Sequence, residues 1–252
     1  MDISSDECAF QCACSSGQLE VAKWLLSVKP DIDISAKDEC AFRSTCSNGH
    51  LDVAKWLLSV KPDIDISEDD EYAFRLTCSN GHLEVAKWLL SVKPDIDISG
   101  DNVYDEYAFR LTCSNGHLDV AKWLLSVKPD IDISANDEYA FRTACEYGHL
   151  EVAKWLLSVK PDIDISANDE YAFRSSCLSE HLDVAKWLLS VKPDIEQAFQ
   201  YVCEYGLFDV AKWLLSVKPD IDISAGDEYA FQFACSNGHL DVAKWLLSVK
   251  PD

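Results

Sequence analysis

Residues 85–95 read Val-Ala-Lys-Trp-Leu-Leu-Ser-Val-Lys-Pro-Asp, and this stretch of eleven residues occurs eight times in the chain without change. Its tryptophan marks each copy, and successive tryptophans lie 32, 32, 35, 32, 32, 26 and 32 residues apart. A period of this size is typical of a stacked array in which each copy covers the apolar face of its neighbour. Features that are specific to this protein are therefore expected where the copies differ.

The third copy shows how the first half of a unit is built. Asp70 is predicted to be the N-cap of a helix, and Glu71 places a second negative charge at the positive end of that helix. The helix is predicted to run as far as Asn80-Gly81, where the glycine is free to adopt a positive φ and end it.

The second half of the unit contains the repeated stretch. A helix is predicted over 83–92, with one narrow polar stripe and an apolar surface around the rest of its circumference. Such a helix is expected to pack on several sides. Pro94 ends it. Residues 95–99 then alternate between polar and apolar, as in an extended hairpin arm.

These units resemble the ankyrin repeat. Residues 81–90, Gly-His-Leu-Glu-Val-Ala-Lys-Trp-Leu-Leu, are similar to the family's second-helix signature, and 94–97 stand where its hairpin begins. The resemblance covers the chain and implies an all-α, ankyrin-like repeat solenoid of eight helix-turn-helix units with extended hairpin loops. It forms a single array over 1–252, with units at approximately 6–35, 38–67, 70–99, 105–134, 137–166, 169–195, 196–224 and 227–252.

The copies also depart from the family pattern. Tyr72-Ala73-Phe74-Arg75 stands in place of Thr-Pro-Leu-His, and Lys93 replaces the usual glycine. This divergent variant is similar to the ankyrin arrays found in giant DNA viruses.

The net charge of −22 argues against binding to nucleic acid, which requires a basic surface to replace the phosphate counterions. The negative charge is compatible with a basic protein partner. The alternative is that it only keeps a long array soluble and monomeric. The chain opens without a signal-like segment, and its apolar runs are too short to span a bilayer. We therefore expect a cytoplasmic monomer that does not bind a membrane.

Cysteines and histidines recur at fixed positions of the repeat. Equivalent residues of stacked helix pairs lie roughly 8–10 Å apart, which is too far for a disulfide or a shared zinc ion. We therefore expect buried thiols and a structural role for histidine at the turn. Cys8, Cys12 and Cys40 lie outside the cysteine column and form only a weak candidate metal set. The two columns are Cys14, Cys46, Cys78, Cys113, Cys145, Cys177, Cys203 and Cys235, and His50, His82, His117, His149, His181 and His239.

Catalysis is not expected. The Asp-Glu pairs recur in nearly every copy, as helix caps do and a unique active site does not. The sequence contains no glycine-rich phosphate loop and no Gly-x-Ser-x-Gly motif. We therefore predict a protein that is not an enzyme and that holds no metal and no cofactor.

The copies differ at three places. An insertion enters the fourth copy, Ser-Asn changes at the end of three first helices, and six residues are missing before the seventh copy, which predicts a notch between copies six and seven. Tyrosine is favoured in binding sites because it offers a large, stiff, amphipathic surface. The candidate partner-binding residues are Asn102, Val103, Tyr104, Arg110, Arg142, Glu146, Tyr147, Arg174, Leu178, Ser179, Glu204 and Tyr205. The alternative is that these differences arose by drift between duplicated copies. The case for the candidate arginines is weakened because Arg43 and Arg75 occupy the same column.

The resemblance implies a non-catalytic module that binds a protein on its concave hairpin and first-helix face. Similarity to viral arrays further implies an adaptor that recruits a host protein in the host cytoplasm. Two alternatives stay open. The acidic chain could mimic nucleic acid and occupy a basic protein surface, or it could be a passive spacer.

Overall fold

The computed structural model describes residues 3–99, 106–192 and 195–249, and it describes the backbone alone at 3–5, 169, 195 and 196. Over these ranges the chain forms sixteen α-helices and no β-strand. It divides into two compact units, Met1–Asn136 and Asp137–Asp252. The all-α repeat architecture predicted from the sequence is confirmed within each unit.

Each copy contributes two helices, an odd-numbered first helix and an even-numbered second helix. The first unit contains α1 (Ile3–Ser15), α2 (Leu19–Val28), α3 (Ala36–Ser47), α4 (Leu51–Val60), α5 (Glu68–Ser79), α6 (Leu83–Val92), α7 (Tyr107–Ser114) and α8 (Leu118–Val127). From the boundary onward follow α9 (Ala135–Glu146), α10 (Leu150–Val159), α11 (Ala167–Leu178), α12 (Leu182–Val191), α13 (Ile195–Glu204), α14 (Phe208–Val217), α15 (Ala225–Ser236) and α16 (Leu240–Val249).

The second helices form where the repeated stretch predicts them. In the third copy, α6 has the predicted bounds, and Val85, Ala86 and Leu89 on it are buried. The backbone N–H of Lys93 closes the helix on the carbonyl of Leu89. Val92 remains exposed, so the helix keeps an outward edge instead of packing on every side.

The first helices begin differently from the prediction. Asp70 and Glu71 are not an N-cap and a first turn, because both have left-handed backbone, with φ of 52° and 62°, as does Asp69. No side-chain cap bond starts the helix. The hydroxyl of Ser67 instead donates to the Glu71 carboxylate at 2.6 Å. The carboxylate therefore fastens a left-handed turn, a conformation that costs an L-residue about 1–2 kcal/mol.

The loops after the second helices consist of turns, and over the described residues they contain no paired strands. Their two isoleucines point inward, since Ile96 and Ile98 are both buried. The alternation of polar and apolar residues therefore reflects a loop whose isoleucines join the core.

Neighbouring copies are held together by a repeated aromatic contact. In five first helices the phenylalanine lies against the tryptophan of the following copy, with ring centroids 6.2–6.3 Å apart and tilted. Such pairs add about 0.5–1.5 kcal/mol beyond the burial of their area. The pairs are Phe10–Trp56, Phe42–Trp88 and Phe74–Trp123 in the first unit, and Phe141–Trp187 and Phe199–Trp245 in the second.

Candidate interaction surface

Three candidate residues at the ends of first helices in the second unit are well exposed. Tyr147 follows α9 with 54% of its surface exposed, Leu178 ends α11 with 49%, and Tyr205 follows α13 with 43%. Large side chains exposed at equivalent ends of consecutive first helices provide apolar anchors of the kind that protein interfaces use.

The regular copies have a different arrangement at this position. The side-chain amide of Asn80 donates to the carbonyl of Ser47 in the preceding copy at 2.8 Å, and Asn48, Asn115 and Asn237 make the same bond. Tyr147 and Tyr205 replace this asparagine and carry no amide donor. At these two positions an exposed aromatic ring is gained and the hydrogen bond between copies is lost. Comparison of the copies in sequence alone does not reveal the lost bond.

Glu146 and Glu204 bind the next copies through tyrosine. The hydroxyl of Tyr171 donates to the Glu146 carboxylate at 2.8 Å, and that of Tyr229 donates to Glu204 at 3.3 Å. Burial, together with these carboxylates, raises the pKa of both Tyr171 and Tyr229. These two glutamates therefore connect neighbouring copies.

The candidate arginines belong to a repeated contact between copies. The guanidinium of Arg142 lies 5.0 Å from the ring centre of Tyr171, and that of Arg174 lies 5.2 Å from Tyr201. Arg43 and Arg75 make the same contact with tyrosines in the first unit. Stacking of this kind contributes about 0.5–1 kcal/mol at exposed sites. The contacts support the structural interpretation of the arginine column.

The other candidates lie at separate places. Arg110 is half-buried on α7 in the first unit, and Ser179 is exposed next to Leu178. Asn102, Val103 and Tyr104 lie outside the described residues. Only the candidates from Arg142 to Tyr205 are therefore brought together within one compact unit.

The sixth copy has an unusual turn. Glu180 stands where other copies have glycine, and it has the left-handed φ of 62° that this turn requires. Its N–H donates to the carbonyl of Cys177, as Gly49 does to Cys46. This turn is therefore strained, because a side chain at such a φ costs about 1–2 kcal/mol.

A cavity of about 330 Å³ lies where the deletion predicts a notch between the sixth and seventh copies. Its walls come from α11, α12, α13 and α15, together with the loop that precedes α11. The cavity is lined by Ile165, Glu170, Phe173, Arg174, Lys192 and Glu204, among others.

The contacts that recur between copies change at this junction. Within the described chain, Phe173 and Trp213 do not form the aromatic pair made elsewhere, and the ammonium of Lys186 lies 5.4 Å from the Trp213 ring centre. Leu207 also replaces the histidine of the turn. The notch thus coincides with a locally different interface between copies.

The cysteine column is buried as predicted except at its last member. Cys235 is exposed, which corrects the expectation of eight buried thiols. Burial raises the pKa of Cys14, Cys177 and Cys203 to about 12, and raises that of Cys46, Cys78, Cys113 and Cys145 as well. Such thiols are poor nucleophiles, because the reactive form is the thiolate.

The described ranges contain no group of three or more His, Cys, Asp or Glu side chains arranged to hold a metal ion. None of the helices in these ranges combines the length and the apolar character needed to cross a membrane.

Comparison with known proteins identifies the repeat. A family model described as ankyrin repeats in three copies matches residues 2–70, 41–137, 74–169, 109–198 and 171–252, which overlap to cover nearly the whole chain. None of the curated proteins matches the sequence.

Proposed function

The chain belongs to the ankyrin-repeat family, whose members are generally protein-protein interaction modules and typically non-catalytic, and from this premise we propose that it binds a protein partner through the second unit. The observation that carries the proposal is the exposure of Tyr147, Leu178 and Tyr205 at equivalent helix ends. Tyr147 and Tyr205 stand where regular copies have an asparagine that bonds to the preceding copy.

The proposed footprint has an apolar centre and a polar border. Tyr147, Leu178 and Tyr205 supply the centre, where desolvated aromatic and aliphatic side chains contribute most to affinity. The border consists of Arg142, Glu146, Arg174, Ser179 and Glu204. Most of these border residues already contact a neighbouring copy, so we assign them to specificity and the centre to affinity. Arg110, with Asn102, Val103 and Tyr104, stays a prediction from the sequence.

The finer assignment is an adaptor that recruits a host protein in the host cytoplasm. It rests on the resemblance of the copies to ankyrin arrays of giant DNA viruses. The net charge of −22 supports a basic partner, since opposite charge speeds encounter and suppresses incorrect partners. The same charge supports a monomer, because like-charged copies repel one another.

A second function, mimicry of nucleic acid, is favoured by the same charge. Mimicry depends on many exposed carboxylates and is therefore screened at a Debye length of about 3 Å in 1 M salt. A site anchored by tyrosine and leucine persists under those conditions. A passive spacer would bind nothing specifically at either salt concentration.

Affinity capture from a eukaryotic lysate at low and high salt tests the proposal. The variant carries Tyr147→Ala, Leu178→Ala and Tyr205→Ala together. The matched control carries Val60→Ala, Val92→Ala and Val127→Ala, at positions that are 43%, 42% and 41% exposed on second helices. We expect a partner that survives high salt, is retained by the control and is lost from the variant. Basic proteins that leave all three forms at high salt would support mimicry instead.

A further inference from the structure

The deletion before the seventh copy removes a defined part of the loop. Other loops run Ile-Asp-Ile-Ser and then reach the first helix, whereas the chain from 195 reads Ile-Glu-Gln-Ala-Phe. The second loop isoleucine and the turn after it are therefore absent at this one junction. The spacing of 26 instead of 32 residues measures the loss.

The second isoleucine of a loop is normally covered. Ile34, Ile66, Ile98 and Ile133 are all buried. Ile165 is only half-buried, and it lines the cavity at the notch. Because its own loop is regular, the exposure of Ile165 follows from the missing loop of the next copy.

A carboxylate at the notch lacks a main-chain donor that two of its equivalents have. The main-chain N–H between the two loop isoleucines donates to the first-helix glutamate of the same copy in the fourth and fifth copies, from Asp132 to Glu106 at 3.2 Å and from Asp164 to Glu138 at 3.3 Å. Glu170 is the equivalent glutamate in the sixth copy. Over the described residues its carboxylate has Lys192 Nζ at 3.3 Å and no main-chain donor from a following loop.

We propose that the cavity binds an extended segment of the protein partner, which takes the place of the missing loop. A branched aliphatic side chain of that segment fills the space over Ile165 and Phe173. The adjoining main-chain N–H donates to the Glu170 carboxylate. The occupant is an aliphatic segment because the second loop isoleucine is buried in four regular loops, at Ile34, Ile66, Ile98 and Ile133, and the cavity of about 330 Å³ has room for such a side chain.

This inference rests on the proposed protein-binding function and adds the chemistry of one subsite. The cavity is bordered by Arg174 and Glu204, which also belong to the proposed footprint. A partner that reaches Leu178 and Tyr205 is therefore expected to place its segment in the notch.

A synthetic peptide tests the inference. The peptide is Lys-Ile-Asn-Ile-Ser-Lys with blocked ends, in which asparagine and lysine avoid repulsion by the acidic chain. The control peptide has alanine in place of the second isoleucine. We expect the first peptide to bind the full chain with a Kd of about 0.1–1 mM by calorimetry, and the control to bind at least about tenfold more weakly.

A matched protein variant makes the test specific. Insertion of Asp-Ile-Ser-Ala-Asn-Asp between Ile195 and Glu196 restores the regular spacing and fills the notch with the chain's own loop. We expect this variant to lose peptide binding while its circular dichroism stays helical. The substitution Ile165→Asn, which makes the floor of the cavity polar, is expected to lose binding as well.

Each outcome decides the inference. The inference is overturned if the first peptide fails to bind, or if it binds equally well to the variant with the filled notch. It is also overturned if the chain self-associates and the insertion abolishes this self-association. If the peptide fails while the partner captured through Tyr147, Leu178 and Tyr205 is retained, this inference is wrong and the proposed function stands.

Discussion

A Cβ atom added to Gly49 would lie 2.5 Å from Nδ1 of His82, so the imidazole of one copy rests directly on the turn glycine of the preceding copy. The same relation joins Gly17 to His50 and Gly81 to His117 in the first unit. It gives the histidine column the structural role at the turn that the sequence predicts.

Substitution of this glycine is therefore expected to cost stability in two ways. In Gly49→Ala, the left-handed φ of 82° costs about 1–2 kcal/mol, and the clash with the imidazole adds about 1–3 kcal/mol. Gly238→Ala is the matched control, because its φ is 80° and nothing lies within 4 Å of the added Cβ. Urea unfolding of both variants measures the difference, and equal losses would contradict the contact.

Acid is expected to weaken the stack through His82. Burial lowers its pKa below the usual 6.5, and the neighbouring His117 and His50 lower it further. The unfolded chain therefore takes up a proton first as the pH falls through 6.5, and the stability contributed by the neutral imidazole is lost from there down to the lowered pKa.

The variant His82→Gln tests this pH dependence, since the first copy already has a glutamine, Gln18, at the equivalent position. Melting temperatures between pH 7.5 and 5.5 are expected to fall more steeply for the wild type than for His82→Gln. Parallel curves would show that His82 does not contribute.

Replacement of the turn residue in the sixth copy is expected to stabilise the protein. In Glu180→Gly, glycine removes the penalty of the left-handed φ and loses part of the gain through its greater freedom in the unfolded chain. We expect a net gain of about 0.5–1 kcal/mol, measured by urea unfolding. A loss of stability would mean that the Glu180 side chain makes a contact of greater value.

Ten of the eleven cysteines are expected to separate into two reactivity classes, with the half-buried Cys40 between them. Cys8, Cys12 and Cys235 are exposed, whereas the other seven members of the column are buried with raised pKa values. Brief alkylation at pH 7.5 followed by peptide mass spectrometry should therefore label the exposed thiols first. Rapid labelling of Cys78 in the folded protein would contradict the packing.

Much of the fold follows from the repeated stretch. The bounds of α6 are predictable because proline and the apolar pattern act locally, and the notch is predictable because it is a matter of chain length. The left-handed turn at Asp70 is not predictable from the local sequence, because the neighbouring Glu71 is held by a loop residue, Ser67. In the fourth copy, for example, Glu106 accepts a bond from Asp132, 26 residues further on.

The candidate surface could be predicted only in part. Comparison of the copies identifies Tyr147 and Tyr205 as exceptions, but the bond that Asn80 makes to Ser47 depends on the packing of helices 33 residues apart. The same holds for Glu146, whose role becomes visible only through the hydroxyl of Tyr171. Neither the Asn80–Ser47 bond nor the Tyr171–Glu146 bond can be predicted from the composition of the copies.

Photo-crosslinking tests the central claim, that a protein partner contacts the second unit at the exposed helix ends. A photoreactive phenylalanine analogue is placed at position 178 or 205, or at the control position 92 on α6, and the full chain is irradiated in a eukaryotic lysate at high salt. We expect one discrete adduct from positions 178 and 205 and none from position 92. The same adducts from all three positions, or none from any, would contradict it.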